Sequence, residues 1–395
     1  MNKLRLTDVC DFQGGSQPPK EQWINKLEDG YIRMLQIRDF TQRKNEEEYV
    51  KLSSNLKICD EDDVLIARYG ASVGKILTGL SGAYNVAIIK SIPNTSKLLK
   101  RYLYYYFNSE YFQNGIKNVG SRAAQAGFNK NDLEDFEIFV SSLEEQQKII
   151  DILDKSQELI EKRKEQIEAL DELVKSKFIE MFGDPINNPM NWEVKKLKDI
   201  SISIMSGNTP KGGEQVYVES GIMFLRSQNV WKNKLLLDDV AYIDQDTHNK
   251  MKKSSLKYKD ILMTKTGRIN TENSSLGRAA MFLGEDDSAN VNGHVYLIRL
   301  QQQVINEFVL SILTRPEYRG YIRSVCVGGI DKRQLNKEHL EEFSIIYPPV
   351  EMQEKFVSYV KQVDKLKFEM EKSLKELEDN FNSLMQKAFN GELFN

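Results

Sequence analysis

The sequence predicts an α+β protein in which two sheet-containing domains are separated by two long helices forming an intramolecular antiparallel coiled coil. Three observations lead there. The chain is written twice, the second part of each copy carries a seven-residue apolar lattice, and the first part breaks into short β-branched runs between turn residues.

FNKNDLEDFEIFVSSLEEQQK, Phe128 to Lys148, aligns without gaps to LNKEHLEEFSIIYPPVEMQEK, Leu335 to Lys355, at an offset of 207 residues, with nine of 21 positions identical. Ordinary amino-acid usage would give roughly one or two. The same offset pairs Leu159 with Leu366, Leu170 with Leu377 and Phe182 with Phe389. Upstream, DVLIARYG (Asp63 to Gly70) pairs with DILMTKTG (Asp260 to Gly267) at another offset, as Ile32, Leu35 and Asp39 pair with Ile222, Leu225 and Asn229. A repeat of about 200 residues is a duplicated domain and not a solenoid. Its second part has been held constant and its first part has diverged.

The constant parts read as helices. From Leu143 to Phe182 there is no Gly or Pro, and Leu153, Ile160, Ile167, Val174 and Met181 recur every seven residues, joined by Ile149 and Leu170. Ser156, Arg163 and Lys177 interrupt the stripe. The second copy, Met352 to Phe389, has Val360, Leu374, Phe381 and Ala388 in one row and Phe356, Val363, Met370, Leu377 and Leu384 in another, interrupted by Lys367. Such stripes need an apolar partner, and the natural one for each helix is the other. A helix of about 40 residues extends about 60 Å. Gly183-Asp184-Pro185 stops the first helix.

In the variable parts, Val64 to Ala67, Val86 to Ile89, Ile261 to Thr264 and Val295 to Ile298 read as strands, with helical patches at Leu98 to Phe107 and Asn306 to Leu313. The expected organisation is a first domain over 1–142, a helix over 143–183, a second domain over 184–350 entered by the linker 184–191, and a second helix over 351–395.

With 40% apolar and 29% charged residues in 395, the chain is of globular type, and its net charge of −3 excludes a tail-driven polyanion binder. The longest apolar runs, such as YLYYYF at Tyr102 to Phe107, fall far below the roughly 20 residues of a membrane span. The start breaks its apolar residues at Asp8 and Asp11, unlike a signal peptide. Cys10, Cys59 and Cys326 are few and far apart, which points to a reducing compartment, and His248, His294 and His339 match no zinc or haem spacing. A cytoplasmic location without membrane contact is expected.

Catalytic signals are poor. GASVGK at Gly70 to Lys75 lacks one residue of a phosphate loop and has Ile76 where a magnesium-binding Ser or Thr belongs, so a turn between strands is the better reading. Asp184, Glu193 and Lys195 imitate the spacing of a metal-dependent nuclease but straddle the linker and do not recur in the first copy. No Asn-Pro-Pro-aromatic or Asp-Pro-Pro-aromatic motif could hold a base amino group for methyl transfer. A chain that binds and catalyses nothing is expected; the rivals are that nuclease and a coiled-coil scaffold that binds only protein.

Charge supports binding. Residues 1–140 and 190–345 carry net +1 and +3, whereas 141–189 and 346–395 carry −5 and −2. Weakly positive domains on acidic helices suit a chain whose domains touch phosphate. Polar loops beside glycines fall at equivalent points of both copies. QGGSQPPK offers Gln13, Ser16, Gln17 and Lys20, and SGNTPKGG offers Ser206, Asn208, Thr209 and Lys211. GSRAAQAG offers Ser121, Arg122 and Gln125, and GGIDKRQ offers Lys332, Arg333 and Gln334. Arg68 and Lys75 flank the Gly70 turn, and Lys265, Arg268 and Asn270 lie around the long polar insertion Thr266 to Arg278, present only in the second copy. These side chains suit base edges and phosphates.

The order domain, helix, domain, helix, the junction GDPINNPMNW from Gly183 to Trp192 and the ending QKAFNGELF from Gln386 to Phe394 resemble the specificity (S) subunit of type I restriction-modification enzymes. The first copy has SSLEEQQ where the second has the proline-containing PPVEMQE of the family. The resemblance implies two target recognition domains, each reading one half of a split, asymmetric site in double-stranded DNA. It implies helices that set the spacing and dock two methyltransferase subunits, with restriction subunits joining the complex. No cofactor is implied for this chain; S-adenosylmethionine, ATP and magnesium belong to the partner subunits.

Overall fold

Each copy is built on the same four-stranded antiparallel sheet. In the first it runs Cys10–Gly14, Ile88–Pro93, Leu65–Ala67, Ile76–Leu77 across the sheet, and in the second Ser201–Ser206, Val295–Leu300, Ile261–Thr264, Ala279–Met281. The computed structural model describes residues 2–42, 45–120, 127–269, 271, 273–329 and 331–393. It divides into two units, Met1–Gln166 with Met370–Asn395, and Ile167–Glu369. Both long helices cross that division, one running Leu143–Phe182 and the other Val350–Phe389, 40 residues each.

The two faces of each antiparallel sheet enter different cores, because successive strand residues point to opposite sides. In the second unit Ile261, Met263, Tyr296, Ile298 and Leu300 face the helices with Phe308 and Tyr318. Leu262, Val295 and Leu297 face Leu225, Ala289 and Val291 of a second sheet. That burial on both sides explains why the strand VYLIRL reads as a nearly continuous apolar run. In the first unit Val64, Ile66 and Ile89 face the helices, while Leu65, Ala67 and Ile88 face Leu35 and Tyr84.

The second sheet has a parallel pair in each unit, Tyr31–Leu35 beside Gly82–Tyr84 and Ile222–Leu225 beside Ala289–Val291. The aligned Asp39 and Asn229 do the same work after it: Asp39 accepts the Gln36 amide at 2.7 Å and Asn229 the Arg226 amide at 2.8 Å. A short ladder closes each copy, Asn2–Arg5 against Glu137–Val140 and Val194–Lys196 against Ser344–Ile346.

The long helices pair antiparallel within each unit. In the first unit Lys164 meets Glu378 at 3.4 Å, and Met385, Ala388 and Phe389 join the core beside Ile149, Ile150 and Leu153. In the second, Lys367 reaches Asp171 at 2.6 Å and Phe356 packs on Phe178 at 5.3 Å. The end of each helix therefore completes the domain of the other copy. Phe389 packs on Tyr102 at 5.1 Å, and its counterpart Phe182 packs on Phe308 at 5.0 Å. Gln146, fully buried in both chemistry and space at the start of the first helix, donates to the Lys97 and Ser141 carbonyls and accepts the Leu99 amide at 3.0 Å. Among the described residues no helix is long and apolar enough to cross a membrane.

Candidate nucleic-acid interface

One end of the antiparallel sheet gathers much of the polar chemistry in both units. The loop after the first strand is pinned by a glycine. A Cβ on Gly15 would lie 2.1 Å from the Asn85 carbonyl oxygen, and one on Gly207 would lie 2.1 Å from that of Val291. No other residue fits so close an approach. The next position differs between the copies: Ser16 Oγ accepts the Lys57 amide at 3.1 Å, while Asn208, like Thr209, stands exposed.

A cation at the end of the third strand lies beside this loop. The Arg68 guanidinium comes 3.3 Å from where a Cβ on Gly14 would be, and its Nε donates to the Phe128 carbonyl at 3.2 Å. Its aligned partner Lys265 donates to Ser206 Oγ at 3.1 Å and lies 4.9 Å from the Tyr296 ring. Burial pushes the Lys265 ammonium below its ordinary value.

The segment before the constant part returns to the same place. Tyr69 bridges Gly127 in the first unit, and Thr266 pairs with Gln334 at the corresponding point of the second. There the pairing widens into a ribbon of Thr266–Arg268, Lys332–Gln334 and Val327–Gly328. Arg268 sits opposite Lys332, and Gly267 opposite Arg333. The structure thus brings Lys265, Arg268, Lys332, Arg333 and Gln334 together with Ser206.

Other candidates are engaged elsewhere. Gln13 accepts from the Tyr84 hydroxyl at 3.0 Å. Lys20 pairs with Glu48 and lies 3.9 Å from the Trp23 ring, away from Arg68 in its bonding. Gln17 and Lys211 are exposed, as is Lys75 on the turn before Ile76–Leu77. Ser121, Arg122, Gln125 and Asn270 lie outside the described residues. Of the nuclease-like trio, Asp184 Oδ1 accepts the Ile186 amide at 2.7 Å and Oδ2 accepts from Asn187 Nδ2 at 2.6 Å, while Glu193 faces Lys195 at 3.7 Å. No group of three metal-ligating side chains occurs among the described residues.

The type I restriction modification DNA specificity domain matches this chain twice, over residues 1–169 and 189–379. The chain belongs to that family. Similar to it over 99% of its length is the type I restriction enzyme MjaVIII specificity subunit of Methanocaldococcus jannaschii, 24% identical over 405 residues that make up 92% of the relative. The MjaIX specificity subunit of the same organism is 26% identical, covering 98% of this chain and 92% of the relative. Among solved structures, a chain from work on complex assembly and conformational transition of the type I R-M system superposes with a TM-score of 0.63 at 18% identity, covering 99% and 98% of the two chains. The type I restriction-modification S subunit from M. genitalium gives 0.52 at 17% identity, covering 98% and 96%. These two share the fold.

Within this specificity-domain chain, loop reasoning missed a group of arginines in the second unit. Arg278 donates to the Ser274 carbonyl at 3.0 Å and to that of Asn273, and its guanidinium lies 3.9 Å from the Trp231 ring. Arg319 reaches the Ser274 carbonyl at 3.4 Å from the helix Pro316–Val325, which also carries Arg323. The available signal was spacing: Arg319 and Arg323 stand four apart on one face of a helix next to the long polar insertion.

Proposed function

We propose that each unit reads one half of a split, asymmetric DNA target, and that the long helices set the distance between the halves and dock two methyltransferase subunits, with restriction subunits joining them. The observation that carries this is the equivalence of the two sheet ends. Each presents a glycine-pinned polar loop, a strand-end cation and the root of a returning segment, on one topology but with different side chains. Shared backbone with diverged donors is what two readers of unlike half-sites require.

Chemistry belongs to the partners. Adenine methylation needs the base extruded into a catalytic pocket, and S-adenosylmethionine, ATP and magnesium would be held by the methyltransferase and restriction subunits in the cytoplasm. The relatives' names as specificity subunits of type I restriction enzymes support this division.

Single-molecule sequencing of host DNA, with and without the gene, tests the reading. The expected result is a split methylated motif that disappears with the gene. Unchanged methylation in a host with active partner subunits would refute it.

A further inference from the structure

The insertion Thr266 to Arg278 is six residues longer than its counterpart Tyr69 to Lys75. Arg268, Asn273, Ser274 and Arg278 from it line, with Ser227 and Gln228 among others, a pocket of about 390 Å³. Those side chains present guanidinium, hydroxyl and amide donors, and no carboxylate lines the pocket among the described residues. Behind the lining, Arg319 donates to the Ser274 carbonyl at 3.4 Å, and the Nε of Arg323 is buried with no hydrogen-bond partner among the described residues. None of these arginines has an ion-pair partner among the described residues, whereas Arg299 of the same unit is matched to Asp260 at 2.7 Å.

Arg278 is buried and Arg319 and Arg323 half-buried without an opposite charge, which is unfavourable unless an anion lies close by. Burial lowers the pKa of Arg278 and of Arg319, the latter also through the neighbouring charges of Arg323 and Arg278. Arg278 is already held in place by Trp231 and two carbonyls, so little freedom is lost when a ligand arrives. A forked cation set with hydroxyl and amide donors matches the oxygens of a phosphate.

The first unit has other residues at these points. Gln113 donates to the loop carbonyl of Gly74 at 2.8 Å, as Arg319 does to Ser274, and the exposed Lys75 precedes the fourth strand where Arg278 does. Resting on the DNA reading above, we propose that the pocket lined by Ser227 and Gln228 together with Arg268, Asn273, Ser274 and Arg278 grips a backbone phosphate of the second half-site. The second unit then supplies the larger share of sequence-independent affinity.

The test measures binding of a mixed-sequence DNA duplex to the full chain, assembled with its methyltransferase partners, across a salt series. Arg268→Gln, at an exposed ribbon position, and Arg319→Gln, which installs the residue of the first copy, should each lower the slope of log K against log salt by about 1. Unchanged slopes in both, with wild-type binding intact, overturn the pocket alone; a wild-type complex that fails to hold DNA refutes the DNA reading with it. The only acid of the insertion, Glu272, lies outside the described residues. Glu272→Gln should leave the slope unchanged, and a steepening by about 1 would show arginines already neutralised and overturn the assignment. Trp231 fluorescence with inorganic phosphate at constant ionic strength provides the last arm. A response abolished by Arg319→Gln supports the site, but a response without any change in DNA slopes would assign it to a free anion instead.

Discussion

Asp63 and Asp260 head the aligned segments DVLIARYG and DILMTKTG, and each ties its third strand to the rest of its sheet. Asp63 pairs with Lys90 at 3.0 Å and Lys100 at 2.7 Å, and Asp260 takes Arg299 through both oxygens. Burial pushes the Asp63 carboxyl up, but hydrogen bonds from Lys100, the Asp60 amide and Lys90 outweigh it and hold the group below its ordinary value. A depressed carboxylate stabilises the folded state above its unfolded pKa of about 3.9, and the contribution is lost as pH falls through the folded value. Asp63→Asn should therefore destabilise the first unit by about 2 kcal/mol at neutral pH, with the difference from wild type vanishing in acid. Urea unfolding of both proteins at several pH values measures this; a gap that persists below the carboxylate range contradicts it. The aspartates were legible as an identity between copies. Their cations were not, because Lys90, Lys100 and Arg299 reach them across strands and carry no local pattern.

At the scale of elements, the heptad rows announced both long helices and their stops, but not which end meets which domain. A stripe fixes a face, whereas the partner of that face is set by tertiary packing. Phe182 and Phe389 were visible as aligned residues, and the structure adds that each completes the core of the opposite copy's domain. Truncating a buried Phe costs about 3–5 kcal/mol. Phe389→Ala should thus loosen the first unit and Phe182→Ala the second, and limited proteolysis with mapped cleavage sites should show each variant cut first in the unit named. Cleavage in the same unit for both would contradict the crossed arrangement. The domain-to-helix contacts also carry opposite charges in the two copies. Arg101 meets Asp154 at 2.6 Å, and at the corresponding place Glu307 meets Lys361 at 3.6 Å. These pairs are partly exposed, so each contributes up to about 1 kcal/mol. Asp154→Lys should destabilise by about that amount and Arg101→Glu should restore it; a double-mutant cycle without coupling would show that the reversal has no matching role.

For the whole molecule, the near-neutral total charge hides its distribution, since the domains are mildly basic and the helical parts acidic. Duplication, fold class and the position of the polar loops were readable because they leave periodic or aligned residues. The arginine pocket was not, because Trp231, Arg278 and Arg319 converge from three separate segments. Each unit is proposed to read one half-site. Replacing residues 190–345 with the corresponding domain of another family member, then sequencing the methylated motif, tests it most directly. One half of the motif should change while the other half and the spacing between them stay; a change in both halves, or in neither, would rule out one reader per unit.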